Sequence, residues 1–237
     1  MQNMKIVGVI ASANENGNSA TLLREALRGA KEAQAEVSEI VLSRSRIEYC
    51  RGCLGCMQNG QCFQKDDFTA VREALRDADG IILSTPTYAA APSARMKNLI
   101  DRLGLFEYMT GEVFGGKYVA AIATAKSFGA RQTVDYLAQV VLGGVFAKAR
   151  VTGRLGAVLR GGKNACESPE LLAKARHLGR KMVADFRRRR AFPWQNFFSR
   201  QLNDRVMRPM IAKGIVKHSD NGMRGVYASL KERGLIA

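Results

Sequence analysis

Lys5-Ile6-Val7-Gly8-Val9-Ile10, running into Ala11-Ser12-Ala13-Asn14-Glu15-Asn16-Gly17-Asn18-Ser19, is the stretch on which the architecture turns. The first six residues form a short, β-branched run, the pattern of a parallel strand buried on both faces. The next nine are rich in small, amide and hydroxyl side chains. Leu22, Leu23, Ala26, Leu27 and Ala30 then recur at helical spacing, with Asn18 or Ser19 placed to cap the helix. Strand, polar loop and helix in that order direct free backbone N–H groups and a helix dipole to a point where an anion can sit. The loop has neither the G-x-G-x-x-G nor the G-x-x-x-x-G-K-[ST] pattern, so a phosphate here would be held by hydroxyls, amides and backbone, not by a lysine. An ordinary capped turn is the plain alternative.

The same rhythm continues outward. Val37 to Leu42 predicts a second strand. Asp66 predicts the start of a helix carrying Phe68, Val71, Leu75 and Ala78 on one side. Gly80 to Ser84 predicts a central strand, apolar on both faces, and Thr85-Pro86-Thr87-Tyr88 stands at its carboxyl end, where open α/β sheets bind ligands. A proline and an aromatic there suit a rigid shelf for a flat ring, against the alternative of a simple turn. A helix from about Ser93 through Leu105 buries Met96, Leu99, Ile100 and Leu103. Tyr118 to Thr124 predicts the fourth strand, Ala125 to Arg131 its loop, and Val145 to Val151 a fifth strand at a sheet edge. Ser168-Pro169-Glu170 is a helix start with cap, proline and early acid in order. Strands alternating with helices predict an α/β doubly wound five-stranded parallel sheet, flavodoxin-like in length and rhythm, over residues 1–188.

Between the second strand and the next helix lies Cys50-Arg51-Gly52-Cys53-Leu54-Gly55-Cys56-Met57-Gln58-Asn59-Gly60-Gln61-Cys62, which holds four of the five cysteines. Thiolates spaced C-x2-C-x2-C can turn inward on one loop and converge on a metal centre, with Gly52 and Gly55 allowing sharp bends. Four thiolates also suit zinc, although structural zinc loops more often separate two C-x2-C pairs by a longer insert. Reduced structural thiols are the third option, and Cys166 stands alone.

The chain has 237 residues, 46% hydrophobic and 24% charged, enough for one large core. No apolar run approaches the ~20 residues of a membrane span, and Met1 to Gly17 lacks a leader pattern, so the expected location is cytoplasmic. A cytoplasmic chain of this size needs no disulfide framework. The net charge of +16 raises nucleic acid, an anionic membrane surface and a polyanionic cofactor as partners. From Gly179 to Ala237 fourteen Lys and Arg face four Asp and Glu, so the excess lies mainly in the tail. After Arg187 to Arg190 and Pro193, residues 189–237 predict a basic amphipathic C-terminal extension. In it Phe197, Phe198, Leu202, Val206, Met210 and Ile211 recur with Arg200, Arg205 and Arg208 interleaved. That stripe is expected to cover the domain or a second subunit, with contact to a membrane surface or nucleic acid as the alternative.

Taken together, Ser12 with Asn16-Gly17-Asn18-Ser19, the Cys50 to Cys62 loop followed by Asp66-Asp67, and Pro86-Thr87-Tyr88 with Ser93, Met96-Lys97 and Asp101-Arg102 resemble the NADPH-dependent FMN reductase family, and within it the iron-sulfur flavoproteins. The resemblance covers roughly residues 4 to 186. It implies FMN held through Ser12, Asn14, Asn18 and Ser19, although the Gly-Ser-Pro-Arg opening usual in the family is Ala11-Ser12-Ala13-Asn14 here and one phosphate-binding arginine is missing. It implies an isoalloxazine ring bordered by Pro86, Thr87, Tyr88 and Ala89, with Ser127, Phe128 and Gly129 closing its other side. It also implies one [4Fe-4S] cluster on Cys50, Cys53, Cys56 and Cys62, with the sulfurs near the ring edge.

The activity implied by this resemblance is that of an FMN-dependent oxidoreductase with NADPH as a possible electron donor, passing electrons to a redox partner protein or a small-molecule acceptor, and assembled as a homodimer or homotetramer. A flavin takes an electron pair and releases single electrons, which matches a one-electron cluster. The sequence shows no required acid or base residue, and His177 and His218 lie late in the chain. Two alternatives stand beside it. One is a cluster-free NAD(P)H:FMN or quinone reductase, and the other is a redox-sensing or nucleic-acid-binding module that uses the basic tail.

Overall fold

A computed structural model describes residues 3–195 and 197–236. Its elements in chain order are β1 (Lys5–Ile10), α1 (Asn18–Glu32), β2 (Glu36–Val41), α2 (Gly55–Asn59), α3 (Phe68–Asp77), β3 (Gly80–Tyr88), β4 (Ala91–Pro92), α4 (Ala94–Thr110), β5 (Tyr118–Ala125), α5 (Ala130–Leu142), β6 (Arg150–Val158), α6 (Pro169–Arg187), α7 (Phe197–Leu202), α8 (Arg208–Lys217) and α9 (Arg224–Glu232). Five parallel strands lie in the order β2-β1-β3-β5-β6, and β4 folds back antiparallel on the end of β3. This is the expected flavodoxin-like α/β fold with helices appended at its C-terminus.

The order follows from burial. Every residue of β5 is buried, as are the first six of β3, which is why these runs lack polar alternation and hold the centre. On one face α3, α4 and α5 cover a cluster that includes Phe68, Leu75, Leu83, Met96 and Leu137. On the other, α1 and α6 cover Ile6, Ile10, Leu23, Ile82 and Met182. Those two helices touch backbone to backbone. A Cβ on Gly179 would fall 1.8 Å from the Ala26 carbonyl oxygen, and one on Gly29 would fall 2.0 Å from that of Arg176. Only glycine permits that approach.

The fifth parallel strand is Arg150–Val158, not the predicted Val145 to Val151. Val145 and Phe146 are apolar for a different reason. They join Met57, Phe106, Ile215, Val226 and Leu230 in a third cluster between the sheet domain and the C-terminal helices. The edge position of this strand holds, since it pairs only with β5. Gly52 has the left-handed backbone expected of it, with φ 64°, but the second bend falls on Leu54, φ 57°, and Gly55 opens α2.

In the extension, a π turn at Asn203–Met207 joins α7 to α8, and α9 closes the chain. Of the predicted stripe only Ile211 packs against the third cluster, while Phe198, Leu202, Val206 and Met210 remain exposed. The docking is carried by Ile215, Val226 and Leu230, from stretches with weaker periodicity.

Candidate functional site

Two neighbouring regions carry the chemistry-bearing residues, and α4 links them. The first lies at the carboxyl ends of β1, β3 and β5. Ser12 and Ser19 are buried, 6% and 2% exposed, yet their hydroxyls have no hydrogen-bond partner among the described residues and neither oxygen is sealed from solvent. A buried hydroxyl without a partner costs free energy unless something else meets it. Around them, Gly17 is the N-cap of α1 and supplies no side chain, and the first intrahelical bond there is donated by Thr21 N–H to the Gly17 carbonyl. The N–H groups of Asn18, Ser19 and Ala20 therefore remain available to an anion.

Asn14 is exposed, and its Oδ1 accepts from Asn16 N–H at 3.0 Å, which shapes the loop. Asn18 Oδ1 accepts from Ala165 N–H at 2.7 Å. That bond draws the turn after β6, with exposed Arg160 and Lys163 in it, toward the α1 N-terminus. Nothing in the sequence pairs these cations with the first loop, because the two segments lie almost 150 residues apart. Arg24 is not free to replace them, since it is tied to both carboxylate oxygens of Glu39 and to the Glu15 carbonyl.

The first and second loops are fastened together by Ser93. Its hydroxyl donates to the Ala11 carbonyl at 2.9 Å and accepts from Met96 N–H at 3.4 Å as the α4 cap, while its N–H donates to Thr85 Oγ1 at 3.0 Å. Beyond Thr85, Thr87 pairs with Pro92 and Tyr88 with Ala91, closing a two-residue hairpin on Ala89 and Ala90. Both have positive φ, 48° and 60°, where asparagine and glycine are the usual occupants. Each alanine there costs about 1–2 kcal/mol, and Tyr88 at the mouth of the hairpin is 61% exposed.

The third loop meets this hairpin directly. Gly129, φ 91°, brings its backbone so near that a Cβ would lie 2.8 Å from Ala90 Cα. Thr87 Oγ1 donates to Thr133 Oγ1 at 3.1 Å and secures the contact. Ser127 and Phe128 stay exposed beside it, Phe128 at 67%. Pro86, Thr87, Tyr88, Ala89 and Gly129 are thus gathered in one place, and Ser12 and Ser19 join them through Ser93 and the strand ends.

The second region is the cysteine loop, which runs alongside α4. Asn98 Nδ2 donates to the Ile47 carbonyl at 2.9 Å and Arg102 Nη1 to the Glu48 carbonyl at 2.7 Å. Arg102 also donates Nη2 to Asp66 Oδ1 at 3.0 Å and to Cys62 Sγ at 3.4 Å, and it lies over the Phe68 ring at 4.5 Å. Asp66 in turn accepts from the N–H groups of Glu48 and Phe68, so one arginine and one aspartate close both ends of the loop. Burial works to raise the Asp66 carboxyl, but the bonds from Arg102, Glu48 and Phe68 outweigh it and hold it below its ordinary range. In the sequence Asp66 stands out as a helix start and Arg102 only as a family signature, and neither shows that the two meet. An arginine within the apolar stripe Leu99, Leu103 and Phe106 was the available signal.

Cys50 and Cys53 are exposed, and Cys56 and Cys62 are half-buried. Burial pushes the Cys56 thiol up, opposed by hydrogen bonds from its own N–H and that of Met57. Among the described residues no three cysteine, histidine or acidic side chains are gathered closely enough to define a metal site. The donor set nonetheless fits a cluster in its chemistry. It offers four thiols on thirteen residues, backbone N–H groups directed at one sulfur and a cation at another. The buried Arg102 Nε–H has no acceptor among the described residues, which suits a site built to carry negative charge. Cys62 stands beside Arg102, nine residues along α4 from Ser93, or about 13 Å at the helical rise. The two regions are neighbours separated by two and a half turns of helix. Cys166 is exposed and lies outside the cysteine loop, next to Ala165, whose N–H donates to Asn18.

The C-terminal extension completes the loop's surroundings. A Cβ on Gly225 would fall 2.1 Å from Gly60 N, so α9 lies directly against the end of α2. Cys56 packs against the third cluster together with Met57.

Residues 4–155 match the NADPH-dependent FMN reductase family. An iron-sulfur flavoprotein of Archaeoglobus fulgidus is 32% identical over 131 residues, 55% of this chain and 59% of that protein. One of Methanocaldococcus jannaschii is 37% identical over 99 residues, 42% of this chain and 51% of that protein. The chain thus spans between half and three fifths of those relatives. In fold it is similar to an NAD(P)H:quinone oxidoreductase of Methanothermobacter marburgensis, with a TM-score of 0.61 at 20% identity, covering 76% of this chain and 98% of that one. No helix among the described residues is long and apolar enough to cross a membrane.

Proposed function

The chain belongs to the NADPH-dependent FMN reductase family, a family of flavin-dependent oxidoreductases, and from that premise we propose that it is an electron-transfer flavoprotein of the iron-sulfur type, reduced by NADPH. When bound, FMN supplies two-electron acceptance with one-electron release and a [4Fe-4S] cluster supplies a one-electron store. The protein's part is positioning. Ser12 and Ser19 offer unpartnered hydroxyls to the phosphate, with the N–H groups of residues 18–20 and the charges of Arg160 and Lys163 nearby. Pro86 to Ala89 and Ser127 to Gly129 border the ring, and the strained hairpin fixes the first of these borders. Cys50, Cys53, Cys56 and Cys62 are the ligand set for the cluster.

The observation that carries this reading is the Arg102 clamp. A nearly fully buried guanidinium is placed between Asp66 and Cys62, an arrangement that sets a cation beside one sulfur of the loop and anchors the loop to α4. Anaerobic purification followed by assay of iron, acid-labile sulfide and flavin tests it. About four irons and four sulfides per flavin are expected, and flavin without iron or sulfide would overturn the cluster. A second reading, a cluster-free NAD(P)H:FMN or quinone reductase, is favoured by the exposure and separation of Cys50 and Cys53. In that case NADPH oxidation with a quinone would be undiminished in iron-depleted protein.

A further inference from the structure

Five large apolar side chains in the extension, at an interval of four residues, face solvent: Trp194, Phe198, Leu202, Val206 and Met210, at 79%, 86%, 59%, 53% and 58% exposure. In a continuous α-helix such a row drifts by about 40° at each step, because four residues exceed one turn. Here the π turn at Asn203–Met207 interrupts the helix, and its wider winding turns less per residue and walks the row back. By that geometry the π turn offsets the drift between Leu202 and Met210, and all four helical members of the row are exposed. At the head of the row the Trp194 ring stands 5.3 Å from that of Phe197, which meets Phe198 at 5.6 Å.

The charges around this row are mostly positive, and the one acid within it, Asp204, is paired with Arg200. Arg188, Arg189 and Arg205 are exposed and make no ion pair among the described residues, and residues 179–237 carry an excess of ten positive charges. A contiguous exposed apolar row of this kind marks an interaction surface. A second copy of the chain is a poor occupant, since each copy carries +16 and a two-fold contact would set one arginine collar against the other.

We propose that this face docks on an anionic lipid bilayer, lying in its interface with Trp194, Phe198, Leu202, Val206 and Met210 toward the acyl chains and the arginines among the headgroups. The composition is that of an interfacial helix, basic on its flanks with tryptophan, phenylalanine and leucine on the apolar side. The extension is docked through Ile211, Ile215, Val226 and Leu230 beside the cysteine loop, so that a bound membrane and the loop lie against the same helical layer.

Trp194 is the sole tryptophan and reports on its own surroundings. The full chain, mixed with vesicles of phosphatidylcholine or of phosphatidylcholine with about 30% phosphatidylglycerol, should co-sediment with the anionic vesicles only and shift its tryptophan emission to the blue. Raising salt should weaken binding by roughly tenfold or more. The double substitution F198E/L202E should reduce the bound fraction by roughly tenfold, with unchanged circular dichroism. The proposal is overturned by absence of binding at low salt, by binding that neither shifts Trp194 nor responds to F198E/L202E, or by an oligomer that F198E/L202E converts to monomer in the absence of lipid.

Discussion

Arg102 is 4% exposed and faces a carboxylate, a thiol, a carbonyl and an aromatic ring, so all of its guanidinium but Nε is engaged. Removing one partner from a buried pair leaves the other uncompensated, at about 3–5 kcal/mol. R102A should therefore lower stability by that order in urea denaturation and reduce iron per chain. R102K, which keeps the charge and loses the planar fork, should recover part of the stability and less of the iron. Glu107 is another buried titratable group on α4. Burial pushes its carboxyl up to about 7, although the N–H groups of Val113 and Phe114, each 2.8 Å away, work the other way. With a folded pKa above the unfolded one, the folded state keeps the proton between about 4.5 and 7. The associated stability is complete below that window and is lost as pH rises through it, to the extent of about 3 kcal/mol. Denaturation midpoints measured at pH 5, 6, 7 and 8 should fall across this range, and E107Q should remove that slope.

Helix α9 shows what an element does that a residue does not. Val226 and Leu230 are fully buried on α2 and α4, each adding about 1.5–3 kcal/mol of apolar burial, and Gly225 permits the contact with Gly60. G225A should lift α9 from the cysteine loop. Alkylation of Cys56, followed by mass spectrometry, should quicken by roughly tenfold as its cover opens. An unchanged rate would show that α9 does not shield it. This contact was not legible in the sequence, because α9 has a short apolar stripe and its partner is a glycine turn. Strands were legible wherever burial on both faces removed polar residues, as in β1, β3 and β5. The Val145 to Val151 assignment failed because apolar residues serving a helix-covered cluster look like a strand of the same length.

For the whole molecule, the sequence disclosed the sheet because each strand and helix signals itself within ten or fifteen residues. It disclosed the site through short contiguous motifs, Ser12 to Ser19 and Cys50 to Cys62. Features that depend on remote segments meeting were hidden, among them the Asn18 bond to Ala165, the Arg102 bond to Cys62 and the seating of the extension. The extension's exposed row was visible as periodicity, but its direction was not, since a stripe of this kind can face inward or outward with the same spacing.

The meeting of Gly60 with Gly225 also has a meaning in time. Synthesis runs from the N-terminus, so the cysteines emerge long before the helix that will close over them. During elongation the sheet can assemble while the thiols stand without their final cover. The ribosome thus grants the loop an interval of openness, and the emergence of α9 shuts it.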